Sequence, residues 1–319
     1  MNWLLVVAVA FAFVNGVNDG GSLLSVGLSV RGHRPLTGLL QAAVAVALAP
    51  LLVGTAVATT LAHRLVAFDG PEGQLAIGLA VIAAVTVTWL LAGRGLPTSL
   101  TLAVVGAIAG AGVGGRLPVT WSVVALVLLL AALAPVVGLL VARGLGRLAS
   151  AWPSHGLLSR RVRRWHRAGF LLQCLAYGAN DGQKMLAVLA VAAGTVGAQG
   201  VPLVGWQLAA AATAFLAGAV VGLPRVARTL SSGVVPSQPP EVVVTEVSSA
   251  TVVLATSAVG SPVSMTQAIS GALVGSVLDR GTGIVRWRVV AELGLAWLVT
   301  LPAAFALAAV ATAAALALT

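Results

Sequence analysis

Apolar residues run along this chain in long, nearly unbroken blocks. They show neither the alternation of half-buried strands nor the one-sided stripe of a soluble helix. Ten blocks stand out, at roughly 3–30, 38–62, 75–93, 97–115, 119–142, 169–196, 203–224, 243–260, 262–279 and 287–318. Each is near the ~20 residues that a helix needs to cross a bilayer core of ~30 Å. The pattern predicts an all-α polytopic membrane protein. Between the fifth and sixth blocks lies the one clear linker, residues 143–167, broken by Pro153 and Gly156. It separates a first half, residues 1–142, from a second, residues 168–319. Residues 3–14 resemble the apolar stretch of a signal peptide but lack its basic flank. They lead straight into a motif that recurs later, so they read as a first span.

Composition strengthens this reading. Hydrophobic residues make up 59% of the 319 and charged ones 8%, with a mean hydropathy of +1.04. A soluble domain carries about 25% charged residues, and no single core of this size could hide so much apolar surface. Lipid is therefore the expected environment. The net charge of +10 does not indicate a nucleic-acid partner. The single lysine, Lys184, lies in an apolar stretch, and the arginines sit mostly in connectors. The linker holds Arg143, Arg147, Arg160, Arg161, Arg163, Arg164 and Arg167, which marks it as cytoplasmic. Threading ten spans from there leaves only Arg64 and Arg116 of the 17 arginines outside. Five spans precede the linker, so the second half must be inverted relative to the first. Both termini then face outward from the plasma membrane. Trp3, Trp121, Trp206 and Trp287 sit near block ends, as interfacial anchors do.

The halves are also repeats. Gly16-Val17-Asn18-Asp19-Gly20 matches Gly178-Ala179-Asn180-Asp181-Gly182 at an offset of 162. Gly95, Pro97, Ser99, Thr101, Ala103, Gly106, Ala107 and Gly110 match Gly260, Pro262, Ser264, Thr266, Ala268, Gly271, Ala272 and Gly275 at an offset of 165. Two inverted-topology repeats of about five membrane segments each, with broken or re-entrant helices at midplane, point to alternating access around a site at the repeat interface.

Candidate chemistry is sparse. Cys174 is the one cysteine, so no internal disulfide forms. His33, His63, His155 and His166 fall near arginines in predicted loops. No metal cluster, organic cofactor or nucleophile–base set is expected within the spans, so the chain does not read as an enzyme. Of eight acidic residues, Asp69, Glu72 and Glu241 lie in predicted loops, Asp279 at a block end, and Glu292 can pair with Arg288 one turn away. Asp19, Asp181 and Glu246 remain within or beside apolar stretches. A carboxylate in hydrocarbon costs at least about 2.5 kcal/mol, so it persists where it meets a cavity, counter-ion or ligand.

Glycines on either side of each Asn-Asp pair predict local unwinding, which frees backbone groups for ions. The competing reading is that each Asp merely caps a helix. Recurrence at equivalent positions favours a site. Gln183 and Lys184 follow the second pair and would support it. In the Pro97–Thr101 and Pro262–Thr266 elements, proline starts a helix whose free amides and hydroxyls suit an anion. Ser99, Thr101, Ser264 and Thr266 are thus candidate oxyanion ligands. The third and fourth blocks, and the eighth and ninth, would form hairpins dipping to midplane at the Gly-x-Pro tips.

These residues resemble the inorganic phosphate transporter (PiT) family. Tyr177 through Lys184, Leu96 through Thr101, Gly106-Ala107, Ser261 through Gly271-Ala272, Arg225 through Leu230, and Trp287 with Ala296 through Pro302 are all similar to its signatures. The resemblance implies cation-coupled phosphate uptake, with a sodium ion or proton as coupling ion and no organic cofactor. It implies Asp19 and Asp181 at ion and substrate sites and the Ser/Thr elements on phosphate, and Glu246 resembles one of its carboxylates. On this reading the cation is assigned to Asn18, Asp19, Asp181 and Glu246, with sodium at the two aspartates, and phosphate to Ser99, Thr101, Asn180, Gln183, Lys184, Ser264 and Thr266. A homodimer is compatible with it. The first half departs from the pattern: Gly20-Gly21-Ser22 and Ser25-Val26-Gly27 follow Asp19, Val81 stands where an acid is expected, and Leu102 and Gln267 stand where the family has His. Sulfate or a related oxyanion is the alternative substrate.

Overall fold

The fold is taken from a computed structural model, which describes residues 3–27, 30, 34–68, 70–93, 98–151, 158–230, 235 and 237–318. Arg31, His33, Asp69, Arg94, Gly95, Pro97, Pro153, His155 and Gly156 lie outside the described residues. Among the described residues twelve α-helices follow one another: α1 Trp3–Gly27, α2 Pro35–Val53, α3 Ala56–Thr59, α4 Gly70–Gly93, α5 Leu100–Gly114, α6 Trp121–Ala151, α7 Leu158–Tyr177, α8 Gln183–Ala192, α9 Gly205–Leu230, α10 Pro239–Ala258, α11 Met265–Val277 and α12 Trp287–Ala317. Seven of them contain a stretch long and apolar enough to cross a membrane.

Several expected boundaries move. The block at 38–62 breaks at Gly54, which adopts φ +82, a conformation only glycine takes readily. The chain resumes as α3 and a π-turn over Thr60–Arg64. The basic linker is mostly helix where it is described: α6 continues to Ala151 and α7 begins at Leu158. Of the two hairpin arms, only the second is short. Helices α4 and α10 have 24 and 20 residues. Helices α5 and α11 have 15 and 13, which at 1.5 Å per residue rise about 22 and about 20 Å, less than a span. Both are buried along nearly their whole length.

The Asn-Asp pairs do not unwind as expected. Asn18-Asp19 lies within the continuous helix α1. Asn180-Asp181 lies in a one-turn π-bulge, Gly178–Gly182, between α7 and α8, a feature that favours functional sites. The flanking glycines have another purpose. A Cβ on Gly16 or Gly20 would strike Phe215 or Ala219 of α9, and one on Gly218 or Gly222 would strike Phe13 or Val17 of α1. A Cβ on Gly178 would strike Ala45 of α2. Small residues at helix contacts let backbones approach within a membrane, where no hydrophobic drive joins the helices.

The same device interlocks the halves. Gly106, Gly110 and Gly114 of α5 press on Leu301, Phe305 and Ala309 of α12, and Gly271 and Gly275 of α11 press on Pro135 and Leu139 of α6. Each repeat's short helix therefore packs on the other repeat's last helix. Outside, the 31-residue helices α6 and α12 expose rows of Leu and Val such as Leu129, Leu140, Leu298 and Val310, the face lipid covers. Trp3, Trp121, Trp206 and Trp287 begin helices and are about half exposed.

The two ends of the molecule differ. At one end Arg143 and Arg147 hold Asp279, and Arg280 holds Glu241. At the other, the Thr120 amide donates to the Leu65 carbonyl and the His63 ring Nε2 lies 3.1 Å from the Gly197 carbonyl. Glu292 meets Arg288 at 3.0 Å, as the spacing predicts.

Candidate transport site

Symmetry places the site. Asn15 and Tyr177 stand at the same offset of 162 as the two Asn-Asp pairs. The Tyr177 hydroxyl donates to Asn15 Oδ1 at 3.1 Å and to Asp19 Oδ2 at 3.5 Å. Residues equivalent under the repeat thus touch, which puts the pseudo-two-fold axis between them. Both aspartates flank it, buried, and Asp19 lies within electrostatic reach of Asp181 and Lys184.

Each asparagine fastens the loop ahead of its own repeat's short helix. Thr98 Oγ1 donates to Asn18 Oδ1, and Asn18 Nδ2 donates to the Thr98 carbonyl, both at 3.4 Å. In the second half, the Val263 amide donates to Asn180 Oδ1 at 3.1 Å. Asn180 Nδ2 donates to Ser257 Oγ at 2.8 Å and to the Ser261 carbonyl at 3.3 Å. Thr98 and Val263 are repeat equivalents at the offset of 165. The loops therefore meet the Asn-Asp pairs, as the hairpin reading expects.

Lys184 joins the halves. Its Nζ donates to Asp181 Oδ1 at 2.7 Å, to Thr101 Oγ1 at 2.5 Å and to the Val263 carbonyl at 2.6 Å. Thr101 Oγ1 donates to the same carbonyl at 2.9 Å. Asp181 Oδ2 is buried without a partner among the described residues. Asp19 Oδ1 accepts from Asn18 Nδ2 at 2.8 Å.

The hydroxyl elements lie beside this cluster. Ser99 caps α5, accepting from the Leu102 amide at 3.3 Å. Ser264 precedes α11 without capping it, and its hydroxyl lies 2.7 Å from that of Thr266. Gln267, one residue on, keeps a buried Oε1 without a partner among the described residues.

Two predicted residues stand apart from the cluster. Gln183 is spent on structure: its Oε1 accepts from the Val57 and Ala58 amides at the start of α3, and its Nε2 donates to the Ala179 carbonyl at 2.7 Å. Glu246 lies eleven residues before Ser257 on α10, about 16 Å along the helix from the Asn180 contact. It meets His166 Nδ1 at 2.8 Å, both side chains buried. His166 is therefore on a helix, not in the loop its arginine neighbours suggest. Between these levels Gln173 donates to Ser249 at 3.0 Å. A buried polar ladder so runs along α7 and α10, with rungs seven residues apart on α7. That period was legible in the sequence, but the pairing needed the fold.

The chain matches the model of the phosphate transporter family twice, over residues 15–169 and 168–308. The chain belongs to the phosphate transporter family. Two matches in one chain are also the two repeats, and the family's members are transporters, not enzymes. A probable low-affinity inorganic phosphate transporter of Mycobacterium bovis is 34% identical over 94% of this chain and 74% of its own length. Its Mycobacterium leprae counterpart is 34% identical over 96% and 76%. One from Bacillus subtilis is 24% identical over 97% and 95%. A solved structure described as the sodium-dependent phosphate transporter superposes with a TM-score of 0.85, covering 98% of both chains at 19% identity. That likeness carries the fold of a phosphate transporter family member, all-helical with two inverted repeats.

Proposed function

We propose that this chain takes up inorganic phosphate together with a cation, by alternating access of its two inverted halves. The observation that carries this is the single buried cluster where both Asn-Asp pairs and both loop–helix elements converge. Ser264 and Thr266, with Ser99 and the first amides of α5 and α11, offer donors to a tetrahedral oxyanion, while Thr101 holds Lys184 and the Val263 carbonyl beside them. Asn180 and Lys184 hold the second loop in place, and Gln183 braces α3 behind it. Asn18, Asp19 and Asp181 supply the negative side. With both carboxylates ionised, two negative charges against one ammonium make the cluster negative before any anion arrives, so an anion enters more easily when a cation comes with it. Of the two aspartates, Asp181 already holds the Lys184 ammonium, so Asp19 is the carboxylate open to that cation, and Glu246 stands on the approach along the polar ladder.

The names of the relatives support phosphate, and the solved structure's description supports sodium. The basic end, with Arg143 and Arg147, is the cytoplasmic face of the plasma membrane, and both termini lie outside. The test is radiolabelled phosphate uptake into proteoliposomes, with and without sodium at fixed pH, then across a pH gradient. Uptake driven by one of the two gradients is the expected result. Protein that inserts yet moves no phosphate sinks the reading, and sulfate uptake in its place establishes the alternative oxyanion.

A further inference from the structure

The two halves' polar clusters are not copies of one another. We propose that the Lys184 ammonium is a built-in cation of the second half, holding the place that a mobile cation takes in the first. Coupling in this chain then runs through the Asp19 half. This rests on the reading of the chain as a cation-coupled transporter.

The oxygens around Lys184 Nζ are a carboxylate, a hydroxyl and a backbone carbonyl, at 2.7, 2.5 and 2.6 Å. Hard cations select that donor set. All three belong to the site where the halves meet: Asp181 and Val263 to the second half, Thr101 to the first. With the ammonium among them, a sodium ion does not fit. Asp181 Oδ2 remains, buried and unpartnered among the described residues, but one oxygen is far short of the several that a hard cation gathers.

The repeat offsets give the counterpart set. Asp181 corresponds to Asp19, Thr101 to Thr266, Val263 to Thr98, and Lys184 to Ser22. The first half thus has a carboxylate, a hydroxyl and a carbonyl again, with a serine hydroxyl where the ammonium stands in the second. Ser22 and Asp19 are both buried. Among the described residues no lysine or arginine pairs with Asp19. The Thr98 carbonyl accepts one long bond, from Asn18 at 3.4 Å, and Thr266 turns to Ser264. The same oxygen types recur at the equivalent positions, and only the second set has a positive charge bonded into it.

The test is the sodium-dependent thermal shift of the purified protein in detergent, with choline as ionic-strength control. It needs no transport, and stabilisation follows occupancy of the site. Asp19→Asn, which keeps Lys184, should show no sodium response. Adding Lys184→Ser, the residue the first half uses, should restore a rise in melting temperature with sodium. A sodium response in Asp19→Asn as large as in the native protein overturns the proposal. So does a double variant that sodium does not stabilise. Should the double variant not fold, Ser22→Lys is the mirror experiment. An ammonium placed in the first half should abolish the native sodium response, and persistence of that response overturns the proposal. Phosphate uptake is read separately. Its absence in the native protein would sink the transport reading while the sodium titrations still decide the place of Lys184.

Discussion

At the scale of single residues, charge sets the consequences. Asp181 is buried with one oxygen on Lys184 and the other without a partner among the described residues. Asp181→Asn removes the counter-charge of a buried ammonium, and breaking a buried pair costs about 3–5 kcal/mol. Phosphate uptake should be abolished with expression retained. Unchanged uptake would remove Asp181 from the mechanism. Thr101→Ala takes one of three acceptors from the same ammonium and should lower uptake, while Thr101→Ser restores it. At the surface, hydrogen bonds from Arg147 and then Arg143 hold Asp279 below the ordinary carboxylate range. A lowered folded value means the pair stabilises above the unfolded pKa and fades as pH falls through the folded one. The group is solvent-exposed, so the contribution is small and screened by salt. The melting temperature of Asp279→Asn should differ from native at neutral pH in low salt, and the difference should vanish on acidification or at high salt.

At the scale of elements, glycine placement governs. Gly275 faces the Leu139 backbone of α6, and Gly110 faces Phe305 of α12. A side chain there meets main chain, which cannot rotate away. Overpacking of this kind costs about 1–3 kcal/mol or more. Gly275→Leu should lower the melting temperature and reduce uptake. Gly205→Leu, where a side chain would meet open space, should do neither. The α7–α10 ladder behaves differently. His166→Ala leaves Glu246 with one buried contact fewer, a loss of about 1–3 kcal/mol, and His166→Gln should recover part of it by offering a donor.

At the scale of the whole molecule, the two ends make the sidedness testable. Cys174 is the one cysteine and is buried, so background labelling is low. A cysteine in place of Arg147 should react with membrane-impermeant thiol reagent only from the cytoplasm. One in place of Gly197, where nothing lies within 4 Å of an added Cβ, should react only from outside. Labelling of both from one side would overturn the proposed threading.

The chain by itself determined that it lives in a membrane, that it is a doubled unit with inverted halves, and which aspartates lie at its centre. Those features are local or periodic: block length, arginine placement and a fixed offset are all read along one dimension. Which glycines pack, which helices break and which partner each polar atom takes are decided between segments far apart in sequence. Gly16 reads the same whether it loosens α1 or lets α9 approach, and only the presence of Phe215 above it separates the two. His166 and Glu246 are eighty residues apart, and no pattern along the chain joins them. Lys184 is the clearest case. The sequence put it beside Asp181, but only the fold brings Thr101 and Val263 to its ammonium, because each repeat's loop closes over a helix that the other repeat helps to hold.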